Sequence, residues 1–173
     1  LAALWAAQGS PVSGTWTEVF GGGDAAEEVF MAWGFGRYVE AIAAAGLAEH
    51  DLPLFVNAAL NDPGVRPGGY PAAGPLPHLF DVWKAAAPSI DFLAPDIYRP
   101  NFTERISEFR RADNPVFIPE ANRAGRAEAS ADALWAIGAL DAMGFSPFAI
   151  ETTDAATDPL AGTYAGLAEL APL

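Results

Sequence analysis

Asn114-Pro115-Val116-Phe117-Ile118-Pro119-Glu120 is an apolar run that ends in a single carboxylate. Proline bounds it and a helix-forming pattern follows, so it reads as a fully buried strand. A carboxylate at the carboxyl end of a buried parallel strand stands where α/β barrels place their chemistry. Three other runs have the same form, at residues 52–60, 90–98 and 145–150, and each ends in polar residues.

Between these runs the sequence turns helical. Residues 24–48 open with Asp24 as an N-cap and Glu27 three positions on, a capping-box-like start. Val29, Phe30, Trp33, Tyr38, Ile42 and Leu47 then recur at mostly helical spacing, and Gly46 marks the expected end. Residues 61–77 are rich in Pro and Gly and read as a long ordered loop of the kind that is usually functional. Residues 78–88 form a short helix stopped by Pro88, and residues 101–112 a helix with Asn101 as cap. Residues 126–143 are Ala-rich and stop at Gly144. Residues 158–170 form the last helix, with Asp158 as cap and Pro159 at its first position.

Short buried strands alternating with helices imply a parallel sheet with right-handed crossovers. Four such units fit an open doubly wound sheet or the second half of an eight-stranded barrel. A doubly wound nucleotide-binding sheet calls for a Gly-rich turn after its first strand. Asn57-Ala58-Ala59-Leu60 supplies none, and Gly21-Gly22-Gly23 follows no strand and reads as a loop.

Bulk properties narrow the function. The 173 residues amount to about one domain. The chain opens Leu1-Ala2-Ala3-Leu4-Trp5 like the middle of a helix, with no signal peptide, so a piece of a longer protein is expected and no cellular address follows. Without cysteine there is no disulfide, thiolate nucleophile or Cys-ligated metal. His50 and His78 lie far apart, so no metal site is expected. A net charge of −13 with one lysine, Lys84, argues against nucleic acid and anionic membrane surfaces, and no apolar stretch spans a bilayer. Arg105, Arg110 and Arg111 read as the solvated face of a helix.

The polar residues at the strand ends are Asn57, Asp96 with Tyr98, Glu120 with Asn122, and Glu151. In a barrel these converge on one face. Gathered carboxylates beside amide and phenol donors suit glycoside hydrolysis, in which one carboxyl is the acid and another the nucleophile or base. A Tyr beside the nucleophile holds it ionised by hydrogen bonding. Each residue also has a structural reading: Asp96 as a turn cap, Tyr98 as core packing, Asn57 as a loop fastener, Glu151 as the start of a polar loop. Glu120 is the hardest to explain so, because a buried charge must be used or paired. Trp33, Trp83 and Trp135 lie in helices and read as core, whereas Trp16 and Tyr70 lie in loops and are candidate sugar-stacking platforms. His78, opening its helix, reads as a cap or packing residue.

Gly14-Thr15-Trp16-Thr17-Glu18-Val19-Phe20-Gly21, Phe30-Met31-Ala32-Trp33, Leu54-Phe55-Val56-Asn57-Ala58, Gly69-Tyr70-Pro71, the segment from Ala85 to Tyr98, Pro115–Glu120 and Gly144-Phe145-Ser146-Pro147-Phe148 together resemble the bacterial beta-galactosidases of glycoside hydrolase family 35. The likeness runs in order through nearly the whole chain. It is most specific at Ala94-Pro95-Asp96-Ile97-Tyr98 and Ile118-Pro119-Glu120. It implies a retaining hydrolase on a (β/α)8 barrel, of which residues 1–173 are the C-terminal half of the catalytic domain, strands five to eight. Glu120 matches the nucleophile and Tyr98 the polar neighbour of it. Asn57, Tyr70, Asp96, Asn122 and Glu151 are the implied substrate-binding residues, with a carbohydrate as substrate and no cofactor. The clan's acid/base Glu follows an Asn, and no Asn-Glu step occurs in this sequence. The general acid, on the missing N-terminal half, is therefore absent and the piece alone is expected to be inactive. Ala58-Ala59-Leu60 also stands where a Trp is expected, which bears on sugar specificity.

A non-catalytic carbohydrate-binding or structural barrel is the alternative, and an Asn-Glu step upstream discriminates the two. A lyase with Glu120 as base is a third reading, but such enzymes often need a strand-end Lys or metal cluster, and Lys84 lies within a helix. A half-barrel exposes sheet edges, so the piece is expected to self-associate or homo-oligomerise.

Overall fold

The computed structural model describes Ala6, Gly9 and residues 13–170, so the mid-helix reading of Leu1–Trp5 lies outside the described residues. Two compact units divide the chain between Leu93 and Ala94. Four strands form one sheet in the order β1 (Phe55–Ala59), β2 (Phe92–Ile97), β3 (Ile118–Ala121) and β4 (Phe145–Pro147). The β2–β3 and β3–β4 pairs are parallel, and helices intervene between successive strands. This is an α/β architecture with four parallel strands and flanking helices.

In the first unit α1 (Trp16–Phe20) forms where the sequence suggested a loop. Thr15 and Glu18 close a full capping box: the Thr15 hydroxyl accepts from the Glu18 N–H, and the Glu18 carboxylate accepts from the Thr15 N–H. Five residues are too few to show a hydrophobic period, which is why the cap was the only available signal. Trp16 stacks on Phe20 with ring centroids 4.0 Å apart and meets Phe30 edge-on at 4.9 Å, so its ring is engaged in packing. Next comes α2 (Asp24–Glu49), longer than its expected end at Gly46. Its N-cap is Gly23 and makes no side-chain cap bond; Asp24 is the first helical residue and pairs with Arg66 at 3.5 Å.

Helix α2 packs on α3 (Phe80–Ala86) through small residues. A Cβ at Gly36 would lie 2.6 Å from the Ala86 Cβ, so glycine permits this approach. Glu40 fastens the far end, accepting from the Ser89 N–H at 2.9 Å and the Ser89 hydroxyl at 3.0 Å. The loop of residues 61–77 ends in a 3-10 turn, Pro77–Leu79, rather than running directly into the α-helix. Leu76, Leu79, Phe80 and Trp83 make the core beneath it.

In the second unit α4 (Phe102–Ser107) is shorter than the span of 101–112, and Asn101 is its N-cap position but makes no cap bond. Arg105 is buried and ion-paired with Glu108 at 3.0 Å, so the arginine cluster is not wholly a solvated face; Arg110 and Arg111 instead pair with Asp141 and Asp113. Strand β3 begins at Ile118, four residues after the start of the run at Asn114. Buried Asn114 holds the lead-in by donating to the Phe109 carbonyl at 3.0 Å, and the β-bridge Arg111–Asn114 closes the turn. Helix α5 (Glu128–Leu140) follows, then β4, a 3-10 turn at Ile150–Thr152, and α6 (Pro159–Leu170). Asp158 caps α6 as expected, accepting from the Leu160 N–H at 2.9 Å.

Candidate active site at the strand ends

Side chains two apart on a strand share a face, so Asp96 and Tyr98 leave the end of β2 on the same side. Glu120 is the Cα partner of Asp96 in the β2–β3 register, which puts the two carboxylates on one face at neighbouring strand ends. The Tyr98 hydroxyl donates to Glu120 Oε1. Burial of the phenol, its hydrogen bond to Glu120, and the negative charges of Glu120 and Asp96 together push the Tyr98 pKa well up from its ordinary value. Tyr98 therefore keeps its proton and remains a neutral donor to the carboxylate across the whole physiological range.

Glu120 is half-buried, and the Tyr98 phenol is its polar partner among the described residues. No arginine neutralises it there. Phe148, which leaves the end of β4, meets Tyr98 edge-on with centroids 6.4 Å apart and is 54% exposed. The carboxylate thus has an exposed aromatic neighbourhood on the β4 side. Ala149, next in the chain, holds a left-handed φ of 60° that turns the backbone into the 3-10 segment. Phe148 was not singled out in the sequence, where it reads as one more apolar strand residue.

Of the other strand-end residues, Asn122 lies one position past β3, and its Oδ1 accepts from the Arg123 N–H at 3.0 Å and Arg126 Nη1 at 3.4 Å. Glu151 sits exposed within the 3-10 turn and makes no polar contact among the described residues. Asp96, Tyr98 and Glu120 are therefore brought together, Asn122 lies beside them in sequence and strand order, and Glu151 stands on a separate turn. Asn57 and Tyr70 belong to the first unit, where Asn57 is an exposed residue of β1.

Tyr70 has a defined partner in that unit. Its hydroxyl donates to Glu28 at 2.9 Å, and burial together with this bond pushes its pKa up to about 12. Glu28 has a side chain only 3% exposed and also accepts from the Ala73 N–H at 3.1 Å, while His78 Nε2 lies 2.8 Å from its other oxygen. Ala73 is in turn held from its other side, because Trp83 Nε1 donates to its carbonyl at 3.1 Å. Its φ of 68° is a strained value that this double grip sustains. Sequence reading passed over Glu28. The available signal was its spacing, since Glu28, Ala32 and Gly36 fall four apart on the buried stripe of α2.

Among the described residues no group of three or more His, Asp or Glu side chains is placed to hold a metal ion, and no helix is long and apolar enough to cross a membrane. No protein-family model matches the chain, and no curated protein matches it significantly.

Proposed function

We propose that Glu120 is the nucleophile of a retaining glycoside hydrolase that cleaves terminal O-glycosidic bonds, with beta-galactosides as its substrates. The observation that carries this reading is the Tyr98 hydroxyl donating to the Glu120 carboxylate from the neighbouring strand end, with Asp96 in register beside it. A carboxylate nucleophile must be ionised yet free to leave its hydrogen bond as the new bond forms. A protonated phenol serves that need, since it stabilises the charge without sharing it as a salt bridge would.

In this reading Glu120 attacks the anomeric carbon, and a second carboxyl protonates the departing oxygen and then activates water. Retaining chemistry sets the two carboxyls about 5–5.5 Å apart. Asp96, an acid, shares the face of Glu120 and is assigned to orienting the substrate or the nucleophile. The proton donor is assigned to a carboxyl that residues 1–173 do not contain, because no Asn-Glu step occurs in them. Residues 1–173 alone are accordingly expected to bind sugar weakly and not to hydrolyse it. Asn122 and Glu151, of the same unit as Glu120, are assigned to the substrate's hydroxyls.

The test is turnover of nitrophenyl galactosides by the full-length protein and its Glu120→Gln variant. The expected loss is at least about a thousandfold, in keeping with removal of the group that forms the intermediate. Unchanged turnover removes Glu120 from the mechanism. Sugar binding with no turnover in the unmodified full-length protein favours the carbohydrate-binding alternative.

A further inference from the structure

Glu28 is a buried carboxylate with no lysine or arginine paired to it among the described residues. Its charge is met by three donors, all from the connection between β1 and α3. The Tyr70 hydroxyl and the Ala73 N–H donate to Oε1 at 2.9 and 3.1 Å, and His78 Nε2 lies 2.8 Å from Oε2. A buried charge is costly unless such partners hold.

The three donors answer differently to pH. A backbone N–H does not titrate. Burial and the bond to Glu28 push the Tyr70 pKa up to about 12, so the phenol keeps its proton at neutral pH. Histidine is the side chain whose charge ordinarily changes between about pH 5 and 8. A carboxylate only accepts, so Nε2 carries a hydrogen in both forms of His78, and the proton that comes and goes is on Nδ1. The His78 side chain is 44% exposed, which gives that proton a route to solvent without unfolding. With Nδ1 protonated, Glu28 faces a counter-charge. With Nδ1 bare, the ion pair becomes a single hydrogen bond from a neutral donor. The other charged groups on the surrounding elements are Asp24 and Glu27 on α2, Asp62 and Arg66 in the loop, and Asp81 and Lys84 on α3. Asp24 and Arg66 pair with each other at 3.5 Å, and among the described residues the polar contact of His78 is with Glu28.

The segment that these bonds hold is poised to move. Ala73 keeps its left-handed φ of 68° because Glu28 holds its N–H and Trp83 its carbonyl. A cavity of about 260 Å³ is lined by Pro67, Gly68 and Ala72 of the loop and by Glu28 and Met31 of α2, so the loop is not packed tight against the helix. Residues 61–77 also follow the carboxyl end of β1, and loops at that end of a strand carry binding in α/β proteins.

We infer that Glu28 and His78 form a pH-sensitive clasp on this loop. With His78 protonated, residues 61–77 are held on α2; as pH rises from about 5.5 to 8 the imidazole loses its charge and the loop loosens. The contribution of the pair is therefore full at the acid end of this window and falls toward the alkaline end. The clasp lies wholly in the first unit and does not require Glu120 to be catalytic.

The test is amide hydrogen exchange of the full-length protein, read by mass spectrometry on peptides spanning residues 61–79 and corrected for the intrinsic pH dependence of exchange. Protection is expected to fall about five- to tenfold between about pH 5.5 and 8, the difference between a charged and a neutral partner. Its midpoint is expected to coincide with the titration of His78, read from exchange of the ring C2 hydrogen. His78→Gln, which keeps a donor but no charge, is expected to abolish the dependence, and so is Glu28→Gln, which keeps the shape of the acceptor. His50→Gln is expected to retain it, since His50 lies at the far end of α2. Constant protection, a midpoint apart from that of His78, a dependence that survives His78→Gln, or one that is lost in His50→Gln overturns the inference. Loss of the fold in His78→Gln leaves the decision to the coincidence of midpoints in the unmodified protein, which needs no variant.

Discussion

At the scale of the residue, one phenol and one carboxylate carry the functional reading. Removing the Tyr98 hydroxyl deletes a hydrogen bond to a charged group, worth about 1.5–3 kcal/mol. Tyr98→Phe in the full-length protein is therefore expected to lower kcat about ten- to a hundredfold while leaving the fold intact, which steady-state kinetics alongside a melting curve checks. The phenols also set an alkaline limit. Tyr70 and Tyr98 have pKa values raised above the ordinary 10.0 of a phenol, Tyr70 to about 12. A raised folded pKa means that their contribution to stability is complete below pH 10 and is lost as pH climbs through the folded value. The tyrosinate absorbance of the folded protein should accordingly lag that of the unfolded chain, and Tyr70→Phe should remove part of the lag. The sequence offered Glu120 and Tyr98 at once, because a charge at the end of an apolar strand demands a partner. It did not offer Phe148, whose place beside Tyr98 depends on how the fold brings the ends of β2 and β4 together.

At the scale of the element, Glu28 joins α2 to the loop of residues 61–77 and the turn that follows. One buried carboxylate meets Tyr70, Ala73 and His78, groups more than forty residues away in sequence. Glu28→Ala strands these groups and is expected to destabilise the fold by about 2–3 kcal/mol, measurable by denaturant unfolding, and to make the loop a site of early proteolysis. Ala73→Gly has the opposite sign. It relieves a left-handed conformation and is expected to be neutral to about 1 kcal/mol stabilising, despite the added freedom of the unfolded chain. The elements were largely legible. Strand–helix alternation and the Asp158 cap follow from period and turn chemistry, whereas α5 ends at Leu140, with Asp141 in a left-handed conformation, ahead of the expected stop at Gly144. The misreadings have local causes. Pro115 and the buried Asn114 delay β3, the Thr15–Glu18 box starts a helix too short to have a period, and the Gly23 backbone rather than the Asp24 side chain precedes α2.

At the scale of the whole molecule, α2 carries Phe30, Phe35, Tyr38 and Ile42 with 45–69% of their surfaces exposed. Phe35, Tyr38 and Ile42 fall on one stripe of the helix, and exposed apolar surface of this kind marks a face that associates. Residues 1–173 expressed alone are therefore expected to self-associate in a concentration-dependent way despite the charge of −13, as sedimentation velocity would show. A monomer that melts cooperatively would count against the half-barrel proposal. Four parallel strands in one sheet were predictable from alternation. The central claim, that Glu120 is a glycosidic nucleophile, is tested most directly by trapping. The full-length protein is incubated with an activated 2-deoxy-2-fluorogalactoside, whose fluorine slows breakdown of a covalent intermediate, then digested and weighed. The predicted result is one sugar mass on the peptide containing Glu120, absent from Glu120→Gln. Substrate hydrolysis with that peptide unmodified, or with the sugar on a different carboxylate, contradicts the account.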